Sequence, residues 1–353
     1  MPAWEMDDYL IACRSITVAK TCRAQNAQSK QAVQLGKMNR ILIIGATGYI
    51  GKYMAKASVS LGYPTFGFVR PSTAAPHSSK SQLLQQFRDD GIVILQGSLD
   101  DHNSLVNAIK QVDIVISAVA IPQHLEQLNI IKAIKEAGNI KRFLPSEFGN
   151  EVDRTKTLVP FQRINDIRKT IRRAIEEAEI PYTSVSANSC AAYFVDYFLH
   201  PRQKPPPQEV VIYGDGFTKA VMNLEDDIAT LNIMVANDPR TLNKLVIYKP
   251  PMNMISQSEI ISLWEKRTGR TLKRVYLPEA EMLKLSETLP DPDNIPVSIL
   301  HSIFVKGDQT DYEFTNEDLE VTKLYPEYKF TSIDEFLDIC KSNPPETKLA
   351  SFV

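Results

Sequence analysis

The stretch RILIIGATGYIGKYMAKAS, residues 40–58, narrows the possible folds more than any other part of the chain. An unbroken apolar run, Ile41 to Ile44, gives way at once to glycines at 45, 48 and 51, which lead straight into a helix-forming sequence. A strand without polar alternation is buried on both faces, as in a parallel sheet. In that setting Gly45 permits a tight turn, Gly48 lets backbone amides approach a pyrophosphate, and Gly51 lets the helix close on the strand. The helix N-terminus favours the negative charge. Ala46, Thr47, Tyr49 and Ile50 complete the loop, so residues 45–51 are the candidate dinucleotide-binding segment. Glycines serving only as a strand-to-helix turn would not require strand, loop and helix to agree in this way.

The pattern that follows supports a Rossmann-type, doubly wound α/β fold. Strand-like runs at 40–44, 65–69, 92–95, 113–119, 142–145 and 182–187 alternate with amphipathic segments, as strands joined by helical crossovers do. After Asn188 the alternation loosens, and Pro201, Pro205, Pro206 and Pro207 mark a loop leaving the sheet. We therefore expect a cofactor-binding domain over 39–188 and a smaller α/β domain over 189–353 that mainly binds substrate. The smaller domain reads as a hairpin at EVVIYGDGFTKAVMN, helices near 224–236 and 256–267, and a Pro-rich stretch at 289–296. Residues 1–38 read as an appended, poorly ordered extension before Met38. Their early acids, Glu5, Asp7 and Asp8, argue against a transit peptide.

Charge excludes several functions. A formal net charge of -2 and a pI near 6.3 provide no general attraction to nucleic acid or anionic lipid. The longest apolar runs fall short of the ~20 residues a membrane span requires. Cys13, Cys22, Cys190 and Cys340 lack metal-ligand spacing and form no cluster with the five histidines, so no metal is expected and a reducing compartment is the simplest reading.

At the end of the second strand, where NAD-binding sequences carry an acid for the ribose hydroxyl, FVRPS presents Arg70. A guanidinium there suits the ribose phosphate of NADPH, and Lys80 offers a second positive charge. We expect no Tyr-x-x-x-Lys acid–base pair of the kind many short-chain dehydrogenases use anywhere in the chain, so another group must carry proton chemistry.

The blocks ILIIGATGYIGKYMAKAS, NIKRFLPSEFGNEVDR, IRRAIEEAEIPYTSVSAN, VIYKPPMNMISQSEIISLWEKRTG and NIPVSILHSIFVKGD occur in that order. Together they resemble the plant isoflavone reductase-like reductases, NmrA-type atypical short-chain dehydrogenases, and most closely the eugenol and isoeugenol synthase group. The resemblance covers about residues 39–353. It implies a cytosolic, NADPH-dependent monomer or homodimer acting on a small phenolic substrate, a phenylpropanoid ester such as coniferyl acetate. Loss of the para-hydroxyl proton expels acetate, and hydride then reduces the quinone methide. The alternatives within the resemblance are a phenylcoumaran benzylic ether or lignan-type reductase and a catalytically impaired NADPH-binding homologue.

In that group a lysine accepts the phenolic proton and an arginine four residues on contacts the cofactor. By resemblance these positions fall on Arg168 and Arg172. Helical periodicity places Ile164, Ile167, Ile171, Ile175 and Ala178 on one stripe, with Arg168 at its border and Lys169 toward solvent. Arginine holds its proton, so Arg168 is suited to stabilise a phenolate and poorly suited to act as a base. Tyr193 and Phe194 are expected to wall the substrate pocket and His301 to hydrogen-bond the substrate, each weighed against an ordinary core role. Ser189 and Cys190 depart from the family pattern, and Ser146–Gly149 should line the sheet's carboxyl edge.

Overall fold

The computed structural model describes residues 38–74 and 80–347. The reading of 1–38 as a tail therefore lies almost entirely outside the described residues. From Arg40 onward the protein forms one compact unit.

Five strands make the central sheet: β1 (Ile41–Ile44), β2 (Thr65–Val69), β3 (Val93–Gln96), β4 (Ile114–Ser117) and β5 (Arg142–Leu144). Their order is β3-β2-β1-β4-β5, all parallel. The crossovers carry helices α1 (Tyr49–Ser60), α2 (Ser81–Asp89), α3 (His102–Ile109) and α4 (Gln127–Ala137). All four β1 side chains are buried, since helices cover both faces of the sheet. Burying each such aliphatic group contributes on the order of 1.5–3 kcal/mol.

Helix α5 (Val159–Glu177) leads to β6 (Thr183–Ser186), joined to β5 by the single bridge Phe143–Tyr182. Two later strands, β10 (Lys244–Ile247) and β13 (Leu319–Glu320), continue beside β6 in parallel.

The other later strands are β7 (Ser189–Cys190), β8 (Glu209–Tyr213), β9 (Lys219–Asn223), β11 (Met254–Ser256) and β12 (Lys273–Leu277). The remaining longer helices are α6 (Ala191–Leu199), α7 (Glu225–Asn237), α8 (Gln257–Thr268), α9 (Glu279–Thr288), α10 (Asn294–Phe304) and α11 (Ile333–Ser342).

The expected hairpin at 209–223 does not form. β8 pairs with β12, and β9 with β11 and β7. Val210 and Ile212 point into an aromatic-rich core with Phe198 and Phe304, and Gly214 and Gly216, both left-handed at φ 65° and 79°, turn the backbone away. Burial against α6 and α10 therefore outweighs local strand pairing.

Candidate active site

The glycine loop is held by backbone packed on backbone. A Cβ on Gly45, at φ +84°, would lie 2.5 Å from the Ala118 carbonyl oxygen, and one on Gly51 would lie 2.2 Å from that of Gly45. Gly48 caps α1 with no side-chain hydrogen bond, so the first amides of the helix are left for an anion. Lys80 Nζ donates to the Thr47 carbonyl oxygen (2.7 Å) and Oγ1 (3.1 Å), tying the loop to the start of α2. Arg70 is exposed immediately after β2, and its charge reaches Glu126. Gly45 through Gly51, Arg70 and Lys80 thus assemble at one sheet edge as a backbone-lined cradle flanked by two cations, and these residues fit an anionic dinucleotide.

Tyr49 turns from the loop toward α6 and α7. Its hydroxyl donates to Glu225 Oε1 (2.6 Å), and Glu225 also accepts from the Ala192 and Tyr193 amides at 3.0 and 3.1 Å. Burial, reinforced by Glu225, pushes the Tyr49 hydroxyl far above its ordinary pKa, so it keeps its proton at neutral pH. Ile50 is half-buried against the core of the sheet. The Tyr193 ring stands edge-on to Tyr49, with centroids 6.4 Å apart, so the structure does bring Tyr193 to the cofactor loop.

Phe194 is a correction. Although its ring also touches Tyr193, it packs on Phe198 and Phe304 at 5.9 Å each, inside the aromatic core, because one residue along α6 rotates the ring inward. Ser189 Oγ accepts from Gln309, and the Cys190 thiol is pushed well up by burial and Glu225.

Along α5, Arg168 and Lys169 separate as the periodicity predicts, and Arg172 and Arg173 divide in the same way. Lys169 lies toward the surface, 3.7 Å from Asp166, and exposed Arg173 pairs with Glu176 and Asp153 at 2.7 and 2.6 Å. Arg168 and Arg172 are buried, at 8% and 6% exposure.

Arg172 does not meet the expectation of a cofactor contact. Its Nε and Nη2 bind Glu147 (2.8 and 2.6 Å), Nη1 and Nη2 bind Glu151 (2.9 Å each), and Nη1 binds Asp153 (3.0 Å). All five guanidinium donors are therefore used by carboxylates, and none remains for a ligand. The signal was present in SEFGNEVDR, whose acids fall where the backbone folds back over α5.

Arg168 is the opposite case. It makes one long contact, Nη1 to Asn165 Oδ1 at 3.5 Å, and its buried Nε has no partner. The guanidinium lies against Gly149, where a Cβ would come within 3.2 Å of Nη1, so this glycine gives it room. Burial pushes the guanidinium down to about 10, with Glu147 opposing and Arg172 adding, and it remains charged at neutral pH.

Facing it is a residue the sequence reading missed, His124, in the 3-10 segment Ile121–Glu126 that follows β4 and packs on α5. His124 is 3% exposed, and burial together with the Arg168 charge pushes its ring down to about 3. A lone histidine in IPQHLE has no local pattern to mark it, and only its position past the carboxyl end of a central strand was legible.

His301 looks elsewhere. Its Nε2 pairs with Glu279 of α9 at 2.9 Å, while the face of α10 against α5 carries Ile295 and Ile299 beside Phe161 and Ile164. Ser146 braces the edge, its Oγ donating to the Val119 carbonyl oxygen (2.9 Å). Against the expectation, the sequence does carry one Tyr-x-x-x-Lys spacing, Tyr325 and Lys329, but it lies beyond the short helix Val321–Leu324, and Tyr325 bonds Asp238 instead of serving as an acid–base partner. Among the described residues no three His, Cys, Asp or Glu side chains gather to hold a metal, and no helix is long and apolar enough to cross a membrane.

Known proteins are similar to this chain in sequence and fold. An isoeugenol synthase of Petunia hybrida is 56% identical, the match covering 89% of this chain and 97% of the relative. A phenylcoumaran benzylic ether reductase of Ginkgo biloba is 52% identical over 86% of this chain and 99% of its own. The structure of a leucoanthocyanidin reductase–NADPH complex from Vitis vinifera superposes with a TM-score of 0.79 at 35% identity, covering 86% of this chain and all of that one. The NmrA-like family model matches residues 37–337, and with relatives this similar along nearly their whole length the chain belongs to the NmrA-like family.

Proposed function

We propose that the protein is an NADPH-dependent reductase that converts a phenylpropanoid ester of the coniferyl acetate type into an allyl- or propenylphenol, eugenol or isoeugenol, in the cytosol. The cofactor is NADPH, which supplies the hydride. The amides of residues 45–51 hold its pyrophosphate, Arg70 and Lys80 its ribose phosphate, and residues 39–188 form most of its site. Residues 189–353 contribute mainly to the substrate side, beginning with Tyr193.

The observation that carries this reading is Arg168, a buried cation with an unpartnered Nε at the carboxyl edge of the sheet. A fixed positive charge in a site closed to water lowers the pKa of a phenol and stabilises the phenolate whose electrons expel the ester's acetate. The similarity to the Petunia isoeugenol synthase supports the ester substrate. The similarity to the Ginkgo reductase favours a second reading, reductive opening of a benzylic ether, which needs the same phenolate.

Purified protein with NADPH and coniferyl acetate is expected to yield eugenol or isoeugenol, and Arg168→Met to lower kcat by roughly 100- to 1,000-fold. Turnover of a phenylcoumaran and not of the ester would select the ether reading. An inactive wild type rescued by Arg168→Lys would identify an impaired homologue, and no turnover of any phenolic ester or ether in either protein would overturn the enzyme reading.

The cofactor assignment has its own test. Arg70→Gln is expected to weaken NADPH binding by roughly 10- to 100-fold, the loss of charge-assisted hydrogen bonds, with little change for NADH in a fluorescence titration. An equal effect on both cofactors would remove Arg70 from the phosphate site.

A further inference from the structure

We infer that His124 accepts the proton of the substrate's para-hydroxyl and shares that hydroxyl with Arg168 at the junction of Ile121–Glu126 and α5. The inference rests on the phenolic reading above.

Position comes first. His124 follows β4, whose neighbour β1 carries the glycine loop, and Ala118 at the end of β4 touches Gly45. Its segment therefore overhangs the carboxyl edge next to the cofactor cradle, where ligands of open α/β sheets bind.

The tautomer comes second. His124 Nδ1 is a buried ring nitrogen without a hydrogen-bond partner. In the Nε2–H tautomer of the neutral ring, Nδ1 presents a buried lone pair.

Beside it, the buried Nε–H of Arg168 is a donor without an acceptor. One acceptor and one donor left open at the same junction are both satisfied by a hydroxyl, which donates through its hydrogen and accepts through its oxygen. A carbonyl or carboxylate would serve only Arg168, and an ammonium only His124. The junction lies beside an apolar cluster of Ile121, Phe161, Ile164, Ile295 and Ile299, surroundings that suit an aromatic ring behind the hydroxyl.

The charged and polar groups around the ring agree with this role. Burial and, from α5, the Arg168 charge keep the imidazole neutral, and from α4 Gln127 donates to the His124 carbonyl oxygen at 3.3 Å while accepting from the Ser146 amide. A phenolate forming between the two offsets the Arg168 charge, so the imidazole becomes more basic as the proton arrives.

The steps balance. The phenol O–H bond breaks and its proton bonds to His124 Nδ1. The electron pair moves through the ring, and the bond from the allylic carbon to the ester oxygen breaks with its pair on the departing acetate. NADPH, when bound, would supply the hydride that takes the neutral quinone methide to the product phenolate, which takes the proton back from His124. The products are the phenylpropene, acetate and NADP+.

Full-length His124→Gln and His124→Leu separate proton transfer from hydroxyl binding. Glutamine offers an acceptor oxygen but cannot take the proton, and leucine offers neither. Both are expected to lose about 100-fold or more in kcat with coniferyl acetate, the range of general-base removal, while NADPH Kd stays within about twofold. Affinity for 4-nitroguaiacol, an unreactive phenol, should fall at least about tenfold in His124→Leu and stay near wild type in His124→Gln, since only leucine removes the acceptor. An active wild type with either variant retaining kcat within about threefold would overturn the inference. If wild type reduces no ester, the ester reading fails by itself. The probe then decides separately, with a tenfold loss in His124→Leu upholding the hydroxyl site and unchanged affinity overturning it.

Discussion

Arg172→Met is expected to lower stability by about 3–5 kcal/mol, a larger effect than any other single charge change in the protein should have. The side chain is 7% exposed, and Glu147 and Glu151, its partners through four of the five hydrogen bonds, are 2% and 1% exposed. Removing the guanidinium leaves two buried carboxylates side by side without the cation that hydrogen-bonds them, whereas methionine fills the volume and creates no large cavity. For a protein of this size the apparent Tm should fall by roughly 6–15 °C. Arg173→Met, one residue on, removes only pairs that are about half-exposed and should cost less than ~1 kcal/mol. Equal losses in the two variants would refute the buried cage.

The pH dependence of Arg172→Met has a definite sign. In the wild type, burial already holds the Glu147 carboxyl above its usual value, with Arg172 pulling it back down. Without Arg172 the upward push is opposed only by the weaker Arg168 charge, so the folded state binds protons that the unfolded state, titrating near ~4.3, has released. A group raised on folding stabilises below its unfolded pKa and loses that contribution as pH rises through the folded value. The gap in Tm between wild type and variant should therefore be widest at pH 8 and narrow toward pH 5.5. A gap that widens on acidification would mean the carboxylates are not buried as described.

Arg172 also marks the limit of what the sequence alone could disclose. Periodicity correctly set Arg168 and Arg172 on the inward side of α5 and Lys169 outside, because a helix face is a local property. The same holds for the glycine loop and the six strands of the βα alternation, whose runs match the structure to within a few residues. Which groups meet those inward arginines is not local. Glu147, Glu151 and Asp153 arrive from the loop after β5, and His124 from the loop after β4, so one arginine is saturated and its neighbour one turn away is left with an open donor. Two side chains of one type on one helix face thus acquire opposite functions from their tertiary surroundings. β8 and β9 failed as a hairpin for a related reason, their partners lying dozens of residues downstream. Phe194 and Tyr193 were indistinguishable as adjacent aromatics until α6 was placed, after which one ring meets Tyr49 and the other the core.

The second large effect separates the two jobs of the glycine loop. In Gly51→Ala the new Cβ would stand 2.2 Å from the Gly45 oxygen and 2.9 Å from its carbonyl carbon, both backbone atoms that cannot rotate away. Helix α1 must then retreat from β1 by about 1 Å, opening close backbone packing, where displaced contacts cost typically about 1–3 kcal/mol. Because the loop moves with the helix, NADPH affinity should fall at least about 100-fold as well. Gly48→Ala differs. Its backbone, φ -79° and ψ 179°, is open to any residue, and the Cβ meets the Gly45 oxygen at 3.0 Å, a clash relieved by a few tenths of an ångström, and the Ala118 oxygen at an ordinary 3.6 Å. The apo protein should keep its Tm within a few degrees, since an N-cap change from glycine to alanine costs little beyond the cap preference, under ~1 kcal/mol. Its methyl group nonetheless stands where backbone must approach the pyrophosphate, so NADPH binding should again drop by about 100-fold. Thermal melts with and without NADPH read both quantities at once. Cofactor-induced stabilisation should vanish in both variants and intrinsic stability fall only in Gly51→Ala. Retention of the NADPH-induced shift in Gly48→Ala would show that the cofactor does not lie against this loop.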